Sequence, residues 1–159
     1  VVLNREYEMS CSIARTLEVV GERWTLLVIR DILLGRRRFG EIQDSLGIAR
    51  NVLSDRLTRL EEEGIVERRI YQERPPRHEY LLTDKGLDLW PVLVSMLDWG
   101  NRHNAAPEGP PMAITHKDCG GIVDGRGYCT ECGERLTARE ADVVGGRRAR
   151  ELTAAALAS

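Results

Sequence analysis

The order of elements across residues 39–82 constrains this chain more than any other feature in it. Phe39, Ile42 and Leu46 recur at spacings of three and four, as on one face of a short helix, and Gly47 follows where a tight turn needs left-handed backbone. A second helix over residues 50–63 puts Leu53, Leu57 and Leu60 on one stripe, with Asn51, Ser54, Asp55, Thr58 and Arg59 on the other side and Gly64 as its stop. Two β-rich runs come next, residues 65–72 and 77–82, separated by Glu73, Arg74, Pro75 and Pro76. Prolines have no amide to donate, so they belong at a hairpin tip or on an edge, and this tip is stiff and flanked by Arg74 and Arg77.

Helix, tight turn, helix and hairpin is the order of a winged helix-turn-helix, whose second helix has the width to enter a major groove of double-stranded DNA. The leucine stripe anchors that helix and leaves Arg50, Asn51, Ser54 and Asp55, in its first turns, nearest the base edges. Thr58 and Arg59 are better placed for phosphate, and Arg36, Arg37 and Arg38 before the motif, with Arg74 and Arg77 on the wing, straddle the neighbouring backbone. Asp55 is the least comfortable member, since a carboxylate repels phosphate unless it accepts from a cytosine amino group. The net charge of −2 argues weakly against nucleic acid. Residues 36–85 hold 11 Lys/Arg against 10 Asp/Glu, leaving 12 against 15 elsewhere, so attraction rests on local placement rather than on the total. The competing view is ordinary packing with a solvated arginine face.

Upstream, residues 10–35 read as two helices broken near Gly21 and ended by Gly35, with Ile13, Leu17 and Val20, then Trp24, Leu27, Val28 and Ile32 at helical spacing. Downstream, Thr83 and Asp84 offer N-caps for a helix reaching about His103, which Pro91 either kinks or marks as its true first turn. The first helix and residues 87–99 carry more apolar surface than a three-helix core needs, so a homodimer is expected; the alternative is packing within one chain or against its tail. The expected organisation is α+β: a winged helix-turn-helix DNA-binding and dimerisation domain over residues 1–104, then a proline-containing linker over 105–113. A small β-rich C-terminal segment over 114–144 and a loosely ordered Arg- and Ala-rich tail over 145–159 complete it.

His116, Cys119, Cys129 and Cys132 form H-x2-C, nine intervening residues, then C-x2-C, close to what a tetrahedral Zn²⁺ site on two turns requires. Gly120 and Gly133 follow the second ligand of each pair, where a small residue lets backbone amides turn toward sulfur. Three thiolates and a neutral imidazole leave Zn²⁺ with charge −1 and no open position, so the expected role is structural; the alternative is small buried thiols and a surface histidine. Cys11 differs in kind. It lies near a helix start with Arg15 one turn later, an arrangement that favours thiolate and hence redox sensing, against a small buried residue at a dimer interface.

Several pieces in order resemble the HxlR-type family of winged-helix regulators, a MarR-like group: the Cys11 opening, Gly21-Glu22-Arg23-Trp24-Thr25, Arg38-Phe39-Gly40-Glu41-Ile42, Leu53-Ser54-Asp55-Arg56-Leu57 and Tyr80-Leu81-Leu82-Thr83-Asp84-Lys85-Gly86. The likeness runs from Cys11 to about His103. It implies a homodimer on a pseudo-palindromic operator, each subunit presenting one recognition helix and one wing, and for some members thiol sensing through the matching cysteine. Glu22-Arg23 stands where the family more often has Gly-Lys, and Ala49 occupies the usual polar N-cap position. The expected function is a sequence-specific transcriptional regulator answering an oxidant or small-molecule effector; the alternative is a zinc-ribbon protein-interaction module without specific DNA binding. No phosphate-binding Gly loop or carboxylate pair stands out, and His78, His103 and His116 lack a nucleophile partner, so catalysis is not expected. No apolar run approaches the roughly 20 residues of a membrane span. With Arg5, Glu6 and Glu8 in the opening segment, a cytoplasmic protein is expected.

Overall fold

Gly21 separates two helices as the periodicity requires: α1 runs Ser12–Val20 and α2 Thr25–Leu33. The structure, a computed structural model, describes Tyr7 and residues 9–157, so the charged opening at Arg5, Glu6 and Glu8 lies outside the described residues. Helix α3 (Phe39–Leu46) ends at Gly47, whose φ of 61° lets its amide turn back to the Gln43 carbonyl at 2.9 Å. Helix α4 (Arg50–Glu62) starts directly after Ala49, which is extended and makes no side-chain cap. What holds α4 is therefore its buried stripe. Leu53, Leu57 and Leu60 pack with Val28, Ile29 and Ile42 in a fully buried core, and each such side chain is worth about 1.5–3 kcal/mol over an exposed one.

Strands β1 (Val66–Gln72) and β2 (Arg77–Leu82) pair antiparallel, Val66 opposite Leu82 and Ile70 opposite His78, and Glu73, Arg74, Pro75 and Pro76 make the turn. The Thr83 hydroxyl donates to the Gly64 carbonyl at 2.6 Å and accepts from the Gly86 amide at 3.2 Å, fastening the short α5 (Asp84–Leu87) beneath the hairpin. The single helix expected from Thr83 to His103 is two: α5, then α6 (Trp90–His103), which opens with Pro91 in its first turn where the missing amide costs nothing.

The chain divides into two compact units at Leu87/Asp88, not in the stretch 105–113, so α6 belongs with the C-terminal residues. Strand β3 (Met112–His116) begins inside the stretch expected as linker and pairs antiparallel with β4 (Ala141–Gly145), His116 opposite Ala141. Between them the chain folds back in isolated bridges, Thr115 with Ile122, Val123 with Cys129 and Tyr128 with Arg135. This β-rich fold seats on α6: Ser95 Oγ donates to the Gly125 carbonyl at 2.8 Å, and a Cβ on Gly125 would collide with the Asp98 carboxylate. The tail expected to be loosely ordered is instead α7 (Gly146–Leu157), lying on β3 and β4 with Ala149 fully buried. Its alanines supply helix propensity, and a methyl group suffices for close approach where large apolar residues are absent. Among the described residues no helix is long and apolar enough to cross a membrane.

Candidate DNA interface and candidate metal centre

Along α4 Arg50, Asn51, Ser54, Asp55, Thr58 and Arg59 are exposed, whereas Arg56 is part-buried. Two aromatic rings order the arginines around them. Arg50 lies over the Phe39 ring at 5.0 Å, and Arg38 over the Tyr71 ring of β1 at 4.6 Å. The Tyr80 amide donates to the Arg37 carbonyl at 2.7 Å, so the segment before α3 runs beside the wing and holds Arg37 and Arg38 on its exposed side. Arg74 and Arg77 are exposed at the hairpin tip. Arg59 is engaged with Glu63 at 2.9 Å, a contact a phosphate would compete with.

Arg36 behaves differently from its two neighbours. It is half-buried, with its guanidinium 3.7 Å from Asp31, a fully buried carboxylate that Arg30 also binds at 2.7 Å. The second oxygen of Asp31 has no hydrogen-bond partner. The Arg36 amide meets the Asp31 carbonyl at 3.0 Å, so the pair fixes the chain between α2 and α3 rather than reaching outward. Asp31 escaped the sequence reading, although its place three residues after Val28 and four after Leu27 puts an acid on the apolar stripe, which was a usable signal. Glu22 and Arg56 were missed likewise: they form an ion pair joining the turn after α1 to α4.

In the second unit His116, Cys119, Cys129 and Cys132 come together with all four ligand atoms within 4.8 Å of one another. Cys119 Sγ lies 3.3 Å from His116 Nδ1, 3.4 Å from Cys129 Sγ and 3.9 Å from Cys132 Sγ, and Cys132 Sγ lies 3.4 Å from His116 Nδ1. Metal–ligand lengths of about 2.3 Å to sulfur and about 2.0–2.1 Å to nitrogen give tetrahedral edges of about 3.8 Å for S···S and about 3.6 Å for S···N. The donor set and its edges therefore fit Zn²⁺, with Nδ1 of His116 turned inward. Nε2 of the same ring has the exposed carboxylates of Asp118 at 3.8 Å and Glu134 at 3.9 Å. His116 and Cys129 are buried, whereas Cys119 and Cys132 are exposed.

Backbone amides do reach sulfur at both turns, but only at the first does the amide follow the glycine that the spacing singled out. Gly120 and Gly133 both take φ of 74°, closed to most side chains, and their own amides donate to the His116 and Cys129 carbonyls at 2.8 and 2.9 Å, while the amides that reach sulfur are those of Gly121 on Cys119 and of Glu131 and Cys132 on Cys129. Burial pushes the Cys129 thiol up, but the Cys132 and Glu131 amides, aided by the Cys119 and Cys132 sulfurs, outweigh it and bring the group down to about 6. The Gly121 amide draws Cys119 down, yet Cys129, burial and Cys132 together hold it above its ordinary value. The Cys129 thiolate is thus favoured by the protein alone, and a divalent cation would supply what Cys119 lacks.

Cys11 is the N-cap of α1 and is exposed. Arg15 follows one turn on, its amide bonded to the Cys11 carbonyl at 3.0 Å.

The likeness to known proteins runs across the boundary between the two units. The sequence pattern of the HxlR-like helix-turn-helix family matches residues 19–108. An HTH-type transcriptional regulator of Mycobacterium tuberculosis, itself uncharacterised, is 48% identical over 128 residues, covering 80% of this chain and 81% of its own length. The crystal structure of PA1607, a protein named as a candidate transcription factor, covers 86% of this chain and 96% of its own with 37% identity and a TM-score of 0.68. The oxidised form of the redox regulator HypR is 33% identical, covers 60% of this chain and all of its own (100%), and has a TM-score of 0.56. The reduced form of the regulator YodB from B. subtilis is 34% identical, covering 60% of this chain and 96% of its own with a TM-score of 0.52.

Proposed function

The chain belongs to the HxlR-like helix-turn-helix family, and on that premise we propose that it is a homodimeric regulator of transcription that binds a two-fold-symmetric site in double-stranded DNA. The observation that carries the reading is α4: its leucines are fully buried and its other face is open along the whole helix. Arg50, Asn51, Ser54 and Asp55 read base edges, while Thr58, Arg59, Arg37, Arg38, Arg74 and Arg77 hold phosphates. Arg36 serves by fixing the loop through Asp31. Dimerisation is supported by apolar side chains left open on two helices, Ile13 (72% exposed) and Leu17 on α1 and Val92, Met96 and Trp99 (58%) on α6. Selection of bound sequences from a random duplex pool tests the reading. A palindromic consensus, with affinity falling as salt rises, supports it; no salt-dependent affinity for any duplex ends it.

The second unit is proposed to hold one structural Zn²⁺ through His116 Nδ1, Cys119, Cys129 and Cys132, where the ion ties both turns together and catalyses nothing. Elemental analysis of the purified chain should find one zinc per chain, and a metal-free chain that also fails to take up zinc would refute it. For an effector, exposed Cys11 at a helix start is a thiol open to electrophiles, in line with the redox regulators among the structural relatives. Loss of an oxidant response in Cys11→Ser tests that second reading.

A further inference from the structure

We propose that Cys119 is an oxidant-sensitive residue of this chain, and that its oxidation closes a Cys119–Cys129 disulfide and expels the metal. The proposal rests on the zinc reading above and extends it from a static brace to a modifiable one.

Access selects the residue. Cys129 is buried and cannot be the first sulfur an oxidant meets, whereas Cys119 is exposed and lines an open cleft of about 620 Å³ with Gly120, Glu131 and, from α7, Leu152. Cys132 is exposed but does not line that cleft. Geometry then selects the partner. Cys129 Sγ is 3.4 Å from Cys119 Sγ, closer than Cys132 Sγ at 3.9 Å, and a disulfide at about 2.0 Å is reached by a shift of roughly 1.4 Å. Gly121 packs so tightly on Cys129 that a Cβ there would stand 2.6 Å from its sulfur, so no side chain of the Cys119 turn screens the two atoms from each other.

With hydrogen peroxide as the oxidant, the Cys119 thiolate attacks the O–O bond, takes one oxygen as a sulfenic acid, and releases hydroxide, which solvent protonates to water. The Cys129 thiolate then attacks that sulfur; the S–S bond forms, the S–O bond breaks, and a second hydroxide leaves and is protonated. Two thiolates lose two electrons, and one peroxide with two protons becomes two waters. His116 and Cys132 alone remain for the ion, two ligands where a closed site needs four. The same loop seats Gly125 against Ser95 and Asp98, so release of the metal also loosens the support of α6.

The test uses the full zinc-loaded chain titrated with hydrogen peroxide, with a chromogenic chelator reading released zinc and non-reducing peptide mapping reading the bridge. The expected result is one zinc released per disulfide formed, the Cys119 and Cys129 peptides linked, an unchanged release curve in Cys11→Ser, and rebinding after reductant. A bridge joining Cys11 residues with zinc retained, or one joining Cys129 to Cys132, overturns the proposal. Should the purified chain hold no zinc and take none up, the metal reading fails, and mapping of the metal-free chain decides separately whether Cys119 and Cys129 are the reactive pair. In Cys132→Ser, where metal is weakened from the start, the Cys119–Cys129 bridge is still expected, and its absence counts against the proposal.

Discussion

The two units of this chain are built on different physics. In the first, Val28, Ile29, Ile42, Leu53, Leu57 and Leu60 are each at most 1% exposed, so bulk apolar burial holds the helices and presents α4. In the second, α6 contributes Trp90 and Val94 and α7 Ala149, but the β-rich part buries mainly Ala113, Ile114, Val123, Cys129 and Leu136, together with the polar Thr115 and His116. A β-rich part whose buried side chains are this small, with a histidine among them, gains much from a cross-link such as the zinc proposed above. The lesson is a division of labour: the surface proposed for DNA is made by apolar burial, while the segment seated on α6 gathers the four side chains proposed to hold zinc. On the proposals above, the second unit would be open to modification without dismantling the first.

The strongest way to break the comparison is to remove the zinc proposed for the second unit. Structural zinc contributes on the order of 10 kcal/mol or more of folding free energy. A chelator should therefore abolish amide-exchange protection in β3 and β4 while α4 keeps its own. Because ligands must be deprotonated to bind metal, the proposed zinc should be held at neutral pH and lost as pH falls, and the second unit should melt in acid with it. If α4 lost protection in step with β3, the two units would be one cooperative body and the distinction would fail.

The converse experiment strikes the first unit. Leu57 is 1% exposed, and truncation of such a leucine costs about 2–5 kcal/mol. Leu57→Ala should lower the unfolding midpoint of the first unit while leaving the zinc content of the chain unchanged. Loss of zinc in that variant would again merge the two.

How far the sequence could be read also differs between the units. The first was legible because α3, α4 and the hairpin rest on period and punctuation: three leucines on one stripe, Gly47 at φ 61°, prolines in a turn. What it hid was polar. Asp31 looks like any helix acid until burial and two arginines are seen, and Arg36 reads as one of three equal arginines until it turns inward to that carboxylate. In the second unit the ligand spacing was legible but the architecture was not. The assignment of α6 depends on Gly125 and Ser95, thirty residues apart in sequence, and α7 is fixed by one buried alanine that no hydrophobic pattern announces.

Within the first unit, the DNA proposal is sharpened by separating base reading from phosphate holding. Arg50→Ala removes an exposed side chain at the start of α4 and should cost about 1–3 kcal/mol of affinity while relaxing base preference at one position of the site. Arg74→Ala, at the wing tip, should weaken binding about equally for all sequences and reduce the salt slope by roughly 1. Titrations at several salt concentrations measure both, and neither change should alter zinc content. Identical behaviour of the two variants would mean that α4 and the wing both act as nonspecific phosphate contacts.

The smallest effect expected concerns Glu41, which ties the arginine segment to α3. Its carboxylate accepts from the Arg38 amide at 3.0 Å and the Arg37 amide at 3.1 Å. The Arg38 amide is the main influence holding its titration below the usual carboxylate range; slight burial opposes it, and the Arg37 amide and the Arg38 charge add to the lowering. A lowered folded-state value means that the carboxylate contributes stability above the ordinary carboxylate range, and that this contribution is lost as pH falls through the lowered value. Glu41→Gln should therefore be slightly less stable than the native chain at neutral pH and converge with it in acid, as read from urea midpoints of the first unit. Metal loss in acid does not confuse the reading, because the ligands all lie in the second unit. A difference between the two chains that stayed constant with pH would mean that the charge on Glu41 does not cap α3, and that Arg37 and Arg38 are held beside the wing by the Tyr80 amide and the Tyr71 ring alone.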